Sequence, residues 1–349
     1  MPKILFLTLS TYDYVGGIQT FNKYFVKSLN DNNYDWSLVS LHDDQKSNEK
    51  NIFCCNHSLF RFIFYILKLT DSKTIIVWNH VSLASIYRYL KFVINSKINI
   101  LIVYGTDVWG KKLPWYKVNA FDQMDEIWSI SNYTKNRIIN LYDVNPKTIH
   151  IFPCCISVDG AQGDANPYNG AQFNILSILR LEERKLGAIY SIVKALPYLI
   201  EQGVDVKFTI IGDGKKAKDI DNYIRINNME SHVNLKGFVD NVRPFLEHCD
   251  IFSLINNGEG FGIVFLEAME YKKCCISASN CGAEDVVIDG VTGFNVDEVE
   301  DVQNVLFKLS NNKKYRDTLG KKGYLHLTRN YTYDAFKNRL KRNINRVSS

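Results

Sequence analysis

Two periodicities alternate along the chain. Short, continuously apolar runs fall at Ile4–Leu9, Trp36–Leu41, Thr74–Trp78, Ile98–Tyr104, Glu126–Ile130 and Thr148–Phe152. Between them lie amphipathic stretches, Ile18–Leu29, Ser82–Ile94 and Tyr133–Leu141, with apolar residues at helical spacing. Runs of strand length that are apolar on both faces, separated by helices, predict parallel strands covered on both sides. The first half therefore reads as a series of βα units.

The rhythm then breaks. Ser157–Gln172 contains Gly160, Gly163, Asn166, Pro167, Asn169 and Gly170 and offers little to a core. Afterwards the alternation restarts. Strands are predicted at Phe173–Leu179, Val206–Ile211, Val233–Lys236, Asp250–Ile255 and Cys274–Ser279. Helices are predicted at Gly187–Glu201, Lys216–Asn227, Val242–His248 and Ile263–Tyr271, with a helical tail from Val299. The fold class is α/β, with two Rossmann-like, doubly wound domains. The expected division is 1–160 for the first domain, 161–171 for the linker, 172–325 for the second domain and 326–349 for a helical tail.

Composition narrows the function. Hydrophobic residues make up 46% of the 349, so the chain can build two ordinary cores. Of the charged residues, 17 Lys and Arg stand against 13 Asp and Glu in residues 1–160, and 25 against 24 in the remainder. That excess is too small, and too dispersed, for a nucleic-acid binder. It suits a first domain that touches an anionic membrane surface. The apolar start at Met1–Leu9 has no small-residue cleavage site behind it and reads as a first strand. No apolar run has membrane-spanning length. A cytoplasmic setting is expected. Six of the eight cysteines form adjacent pairs (Cys54-Cys55, Cys154-Cys155, Cys274-Cys275), without zinc or redox spacing. They read as small buried hydrophobes in a reducing compartment.

The candidate chemistry is concentrated in the second domain. Asn256-Asn257-Gly258-Glu259-Gly260-Phe261-Gly262-Ile263 follows a strand and opens a helix that carries Glu267. Three alternating glycines leave main-chain N–H groups open at a helix N-terminus, which suits a phosphate. Glu259 can accept from a sugar ring, and Glu267 from the vicinal hydroxyls of a ribose. A plain glycine loop with surface glutamates would look the same. Arg180 and Lys185, in Arg180-Leu181-Glu182-Glu183-Arg184-Lys185, follow the first strand of the domain and can neutralise a diphosphate. A solvated turn of self-paired charges is the alternative. Ile211-Gly212-Asp213-Gly214 ends another strand in a glycine turn, and Gly237-Phe238 could present main-chain groups to a base.

Taken in order, these segments resemble the family 4 retaining glycosyltransferases of the GT-B fold. The resemblance is carried by Arg180…Lys185, Gly212-Asp213-Gly214, Gly237-Phe238, Glu259-Gly260-Phe261-Gly262…Glu267-Ala268 and Gly290-Val291-Thr292-Gly293, strongly over 172–296 and loosely before that. Two glutamates separated by seven residues are its hallmark. It implies two Rossmann-like domains facing each other across a cleft that holds the active site, with C-terminal helices packing back toward the first domain. It further implies that Arg180 and Lys185 hold the donor diphosphate and that Glu267 holds the ribose. Glu259 and the backbone of Phe261, Gly262 and Ile263 would hold the donor sugar and phosphate. The sequence departs from the family in two places. Leu179 and Leu186 stand where glycines usually flank the cations. Asn280-Cys281-Gly282-Ala283-Glu284 lacks the usual proline.

In the first domain, Val15-Gly16-Gly17-Ile18 resembles the family's Gly-Gly turn, which faces the donor phosphate and the acceptor. Thr20 stands where a dinucleotide-type loop needs a third glycine, which argues against a nicotinamide enzyme. Tyr104-Gly105-Thr106-Asp107 resembles a His-Gly-x-Asp segment. Asp107 is read as a cleft carboxylate near the reacting sugar, with a local turn cap as the alternative. His80 is either an acceptor-side histidine or a core one. Leu59–Leu69 reads as a core helix whose charged ends snorkel, or as an aromatic, basic helix on a membrane.

The implied reaction moves a sugar from a UDP- or GDP-linked donor to a hydroxyl of a glycan or lipid-linked saccharide, with anomeric configuration retained. No metal and no cofactor beyond the donor are expected. Surface polysaccharide or glycolipid assembly is the implied pathway. Two rivals share the fold: a sugar-nucleotide 2-epimerase, and an inactive glycosyltransferase-like binding subunit.

Overall fold

A computed structural model describes every residue except 1, 15, 45–48, 159, 161–164, 169 and 349. Val15 of the glycine turn, and Gly163 and Asn169 of the predicted linker, thus lie outside the described residues. The chain divides into two compact units, 1–155 with 333–349, and 156–332.

The first unit contains β1 (Lys3–Thr8), α1 (Gly17–Asp31), β2 (Asp35–Ser40), β3 (Ile52–Cys54), α2 (Leu59–Leu69), β4 (Thr74–Trp78), α3 (Val81–Ala84), α4 (Tyr87–Leu90), β5 (Ile98–Val103), α5 (Thr106–Trp109), α6 (Trp115–Asp122), β6 (Glu126–Ser129), α7 (Asn132–Tyr142) and β7 (Ile149–Ile151). The strands form one sheet in the order β3-β2-β1-β4-β5-β6-β7. Their pairings are all parallel.

The second unit contains β8 (Phe173–Ile178), α8 (Leu186–Glu201), β9 (Val206–Ile211), α9 (Ala217–Ile226), β10 (Val233–Gly237), α10 (Arg243–His248), β11 (Ile251–Leu254), α11 (Ile263–Glu270), β12 (Cys274–Ala278), β13 (Gly293–Val296), α12 (Val299–Ser310) and α13 (Lys313–Asn330). Its six strands run β10-β9-β8-β11-β12-β13. Both sheets reverse direction beside their first strand, the doubly wound pattern. The reversal lies between β1 and β4 in one unit and between β8 and β11 in the other.

Burial explains the strands. Every residue of β4, Thr-Ile-Ile-Val-Trp, is buried, as parallel strands covered on both faces require. The α1 helix turns Phe21, Phe25 and Leu29 inward, and Phe25 stacks on Phe6 with ring centroids 4.4 Å apart. Each such side chain contributes about 2–3 kcal/mol of burial. Seven of the eight cysteines are buried and all are free. Burial pushes the Cys249, Cys274 and Cys281 thiols up to about 12, away from thiolate chemistry.

Three sequence expectations need correcting. Ser82–Ile94 is not one helix. It holds the short α3 and α4, because Ile86 bonds back to Leu83 and Tyr89 to Ile86, three residues each, and Ser85 Oγ donates to the Ser82 carbonyl. Tyr168, in the predicted linker, does enter a packed environment. Its ring meets Phe245 edge-on and its hydroxyl donates to the Phe245 carbonyl. The unit boundaries also fall elsewhere than at 160 and 326. Ile156 bridges to Thr332 and donates to the Tyr331 carbonyl, which stitches it to the second unit.

The last helix, α14 (Tyr333–Ser348), completes the first unit. Phe336 packs edge-on against Phe21 and Phe152, Tyr333 donates to Asp31, and Arg346 forks onto the Glu126 carboxylate. The strands β3 and β13, three and four residues long, were not predicted.

Candidate functional site

In the second unit the informative loops meet at the sheet's reversal. The segment after β8 carries Arg180 and Lys185, and the segment after β11 carries the glycine loop, on neighbouring strands. Lys185 Nζ lies 3.7 Å from Glu259 Oε2, and each side chain is about one-fifth exposed, 21% and 19%. Arg180 sits differently. Its guanidinium pairs with Glu182 at 3.6 Å, Glu182 also meets Arg184 at 3.3 Å, and Glu183 meets Lys216 at 2.7 Å. The self-paired turn therefore holds for Arg180, Glu182 and Arg184, while Glu183 turns to Lys216 and Lys185 reaches the glycine loop.

Gly262 caps α11 in the left-handed region, with φ +85°; a Cβ there would meet the Phe265 ring at 2.5 Å. Only glycine satisfies both constraints. Phe261 is buried and meets Tyr331 edge-on. Ile263 opens the helix. The loop is braced from behind by a residue to which the sequence analysis gave no role. Gly282 donates to the Glu259 carbonyl at 2.7 Å, and a Cβ on it would fall 1.8 Å from the Gly260 oxygen. Glu284 holds this brace by accepting from Asn280.

Glu267 lies on α11, one turn beyond Ile263. Burial raises its pKa, and neighbouring Glu270 adds to the rise. Such a carboxylate gains from a hydrogen-bond donor. Phe238 is exposed at the end of β10. Gly212 serves packing: its N–H is taken by the Gly237 carbonyl, and its φ of +143° lets the chain pass the Leu179 carbonyl, where a Cβ would fall at 1.8 Å.

In the first unit the corresponding reversal lies beside β1 and β4. Gly16 is extended and its carbonyl accepts from Thr20 in α1, which Gly17 opens. A Cβ on Gly16 would meet only the flexible Gln19 side-chain oxygen, at 2.9 Å, so packing does not demand this glycine. The loop after β1 is organised by Asp43, whose partner positions no short-range motif reveals. Its buried carboxylate accepts from Ser10 Oγ at 2.5 Å and from the N–H groups of Thr11, Tyr12 and Asp13. Burial alone would raise its pKa, but these bonds and one to Ser40 outweigh burial and hold it below the usual value.

Tyr104 is buried. It donates to Asn79, which in turn donates to Asn22, so it is part of the core rather than a site residue. His80 caps α3: its Nδ1 accepts from Ser82 N at 3.0 Å. Burial, with Lys117 and His42 nearby, pushes its pKa down to about 4, so the ring is neutral. Asp107 Oδ1 accepts from Tyr104 N at 3.1 Å, a local turn bond, while its Oδ2 is buried with no hydrogen-bond partner among the described residues. Burial pushes this carboxyl up to about 6 against three backbone bonds and Lys117.

Residues 163–326 match the family model for glycosyl transferases group 1. An uncharacterized glycosyltransferase of Methanocaldococcus jannaschii is 28% identical over 337 residues, covering 89% of this chain and 90% of that one. A capsular polysaccharide biosynthesis glycosyltransferase of Staphylococcus aureus is 27% identical over 139 residues, 39% of this chain and 36% of that one. The crystal structure of an Anabaena protein, HepE, in complex with UDP superposes with a TM-score of 0.80 at 15% identity, covering 98% of this chain and 99% of that one. By fold the chain is GT-B, with two Rossmann-like units each built on a parallel sheet, and its second unit is similar to the group 1 glycosyl transferases.

Proposed function

We propose that the chain is a retaining, family 4 glycosyltransferase that moves a sugar from a UDP- or GDP-linked donor to a hydroxyl of a glycan or lipid-linked saccharide. The observation that carries this reading is the convergence of Lys185, Glu259 and the Gly262-capped start of α11 at the sheet's reversal. A diphosphate placed there meets an ammonium and the positive end of a helix. Arg180 would turn from Glu182 to the same charge. Glu267 would accept from the ribose hydroxyls, and the exposed Phe238 would flank the base. The S. aureus relative's part in capsule biosynthesis favours a saccharide acceptor in surface polysaccharide or glycolipid assembly.

As the anomeric C–O bond breaks, the leaving diphosphate gains charge. We assign its neutralisation to Lys185, Arg180 and the α11 N-terminus rather than to a divalent ion. The acceptor oxygen then bonds to the anomeric carbon on the same face, and its proton passes to the departing phosphate oxygen. Asp107 is the first unit's proposed contribution, because its orphaned Oδ2 would be satisfied by a sugar hydroxyl. The Gly16-Gly17 turn, in which packing does not require Gly16, would leave room for a phosphate or acceptor.

The test is thermal stabilisation by UDP, GDP, ADP and their sugar conjugates, followed by NMR of the anomeric centre of any transfer product. A ligand that binds only the folded chain raises its midpoint. A shift with one nucleotide series and a retained product support the reading. No shift in a folded sample, or an inverted product, overturns it.

A further inference from the structure

One side chain of the second unit reaches the glycine loop by two routes. Tyr331 follows α13 and is buried. Its backbone is fixed on both sides. Its N–H donates to the Leu327 carbonyl at the end of the helix, and its carbonyl accepts from Ile156 N at 3.0 Å. Thr332 bridges to the same Ile156. Both covalent links between the units start at this bridge, because 1–155 and 333–349 belong to the first unit. The first route is the ring. It meets Phe261 edge-on with centroids 5.5 Å apart, and Phe261 lies within the 259–262 loop. It also meets His326 edge-on, at 5.1 Å. The second route is the hydroxyl, which donates to the Asp285 carbonyl at 2.7 Å. His326 Nε2 donates to that oxygen at 3.1 Å, because its Nδ1 accepts from the Asn330 amide. Asp285 closes the 3₁₀ turn Gly282–Asp285, whose Gly282 N–H holds the Glu259 carbonyl at 2.7 Å. Cys281 and Ala283 are fully buried, so the turn has no solvent to move into.

We propose that Tyr331 is a positioning residue for nucleotide binding. Its ring seats Phe261, and its hydroxyl, through Asp285, holds the turn that holds Glu259. Both contacts act on the loop that caps α11 and faces Lys185. A buried phenol needs a hydrogen-bond partner, and here the partner is the main chain of the brace. Phenylalanine would fill the same space and leave the Asp285 carbonyl to His326. Tyr331 acts through the loop and is assigned no contact with substrate. Loosening the loop weakens binding, because the ligand must then order it. The nucleotide in this inference rests on the donor reading, whereas the hold of Tyr331 on the loop does not.

The test compares three variants of the full chain by hydrogen exchange and by binding of UDP and GDP. Tyr331→Phe keeps the ring and loses the hydroxyl, and Tyr331→Leu loses both. Val206→Ala, buried at the end of β9 away from the loop, is the destabilised control. Without ligand, the Gly282 N–H should exchange about fivefold faster in Tyr331→Phe, the effect of one lost hydrogen bond, and faster again in Tyr331→Leu. The nucleotide dissociation constant should rise in the same order, by about threefold and then about tenfold. Val206→Ala should lower the thermal midpoint and leave both readouts at wild-type values. Unchanged Gly282 exchange in Tyr331→Leu overturns the proposal. So does a Val206→Ala chain that moves both readouts as far as Tyr331→Leu does. Faster exchange with wild-type nucleotide affinity would make the contact structural only and overturn the positioning role. A wild-type chain that binds neither UDP nor GDP, with the graded exchange intact, supports Tyr331 as the anchor of the loop and overturns the donor reading alone.

Discussion

Lys185 and Glu259 come from loops on neighbouring strands and face each other at 3.7 Å across the point where the second sheet reverses. Neither folding nor solvation needs this pair, since an ion pair at this exposure is worth at most about 1 kcal/mol. Lys185→Ala should therefore leave the thermal midpoint almost unchanged. It should lower turnover by about 10²–10³, the cost of losing one preorganised group at a developing charge. Stopped assays over a range of donor concentrations separate the two effects. Near-wild-type turnover would remove the diphosphate role.

Two glycines with opposite surroundings test the brace behind the loop. A methyl on Gly282 would collide with the Gly260 carbonyl, whereas one on Gly187 meets nothing within 4 Å. Gly282→Ala should cost about 1–3 kcal/mol of stability and weaken nucleotide-induced stabilisation as the 259–262 loop shifts. Gly187→Ala, in the first turn of α8, should stabilise by up to about 1 kcal/mol. Equal nucleotide binding by both variants would show that the loop position is not set by Gly282.

Most of both sheets was legible because each buried strand is a continuous apolar run. The short edge strands β3 and β13 were not, since three or four residues paired on one side leave no pattern. The paired glutamates and Lys185 were legible as a motif. Which charges pair was not: Glu182 captures Arg180, and Lys185 reaches past it to Glu259. Asp43 was invisible because its role depends on a loop about thirty residues away that only the β1–β2 pairing brings to it. Gly282 was visible as a glycine, but its contact with Gly260 is a tertiary one.

His80 ties stability to pH. Its folded pKa, about 4, lies below the ordinary 6.5, so the neutral ring is the form the fold prefers. The contribution is fully present above pH 6.5 and is lost as the pH falls from about 6.5 to about 4, where the unfolded chain takes up the proton first. The full effect is on the order of 3 kcal/mol. His80→Asn keeps an acceptor for the Ser82 N–H and cannot protonate. Its midpoint should therefore fall less than that of the wild type between pH 6.5 and 4. Parallel pH profiles for the two proteins would show that His80 is not the titrating group.

Asp107 has the opposite sign and separates a turn cap from a working carboxylate. Its folded pKa is pushed up to about 6 from 3.8, so the fold prefers the protonated form. Stability is lost as the pH rises from about 4 to about 6, and a cost on the order of 3 kcal/mol persists above that. Asp107→Asn presents the same carbonyl to the Tyr104 N–H without the charge. Its midpoint should exceed that of the wild type above pH 6 and match it near pH 4. A side chain that only caps the turn would leave transfer intact. A carboxylate whose orphaned Oδ2 receives a sugar hydroxyl would not, and loss of that charged acceptor should lower turnover by about 10² or more. The variant is thus expected to be more stable and less active at neutral pH, a trade typical of groups held against their own stability for a reaction. A stabilised variant with full activity would return Asp107 to the turn.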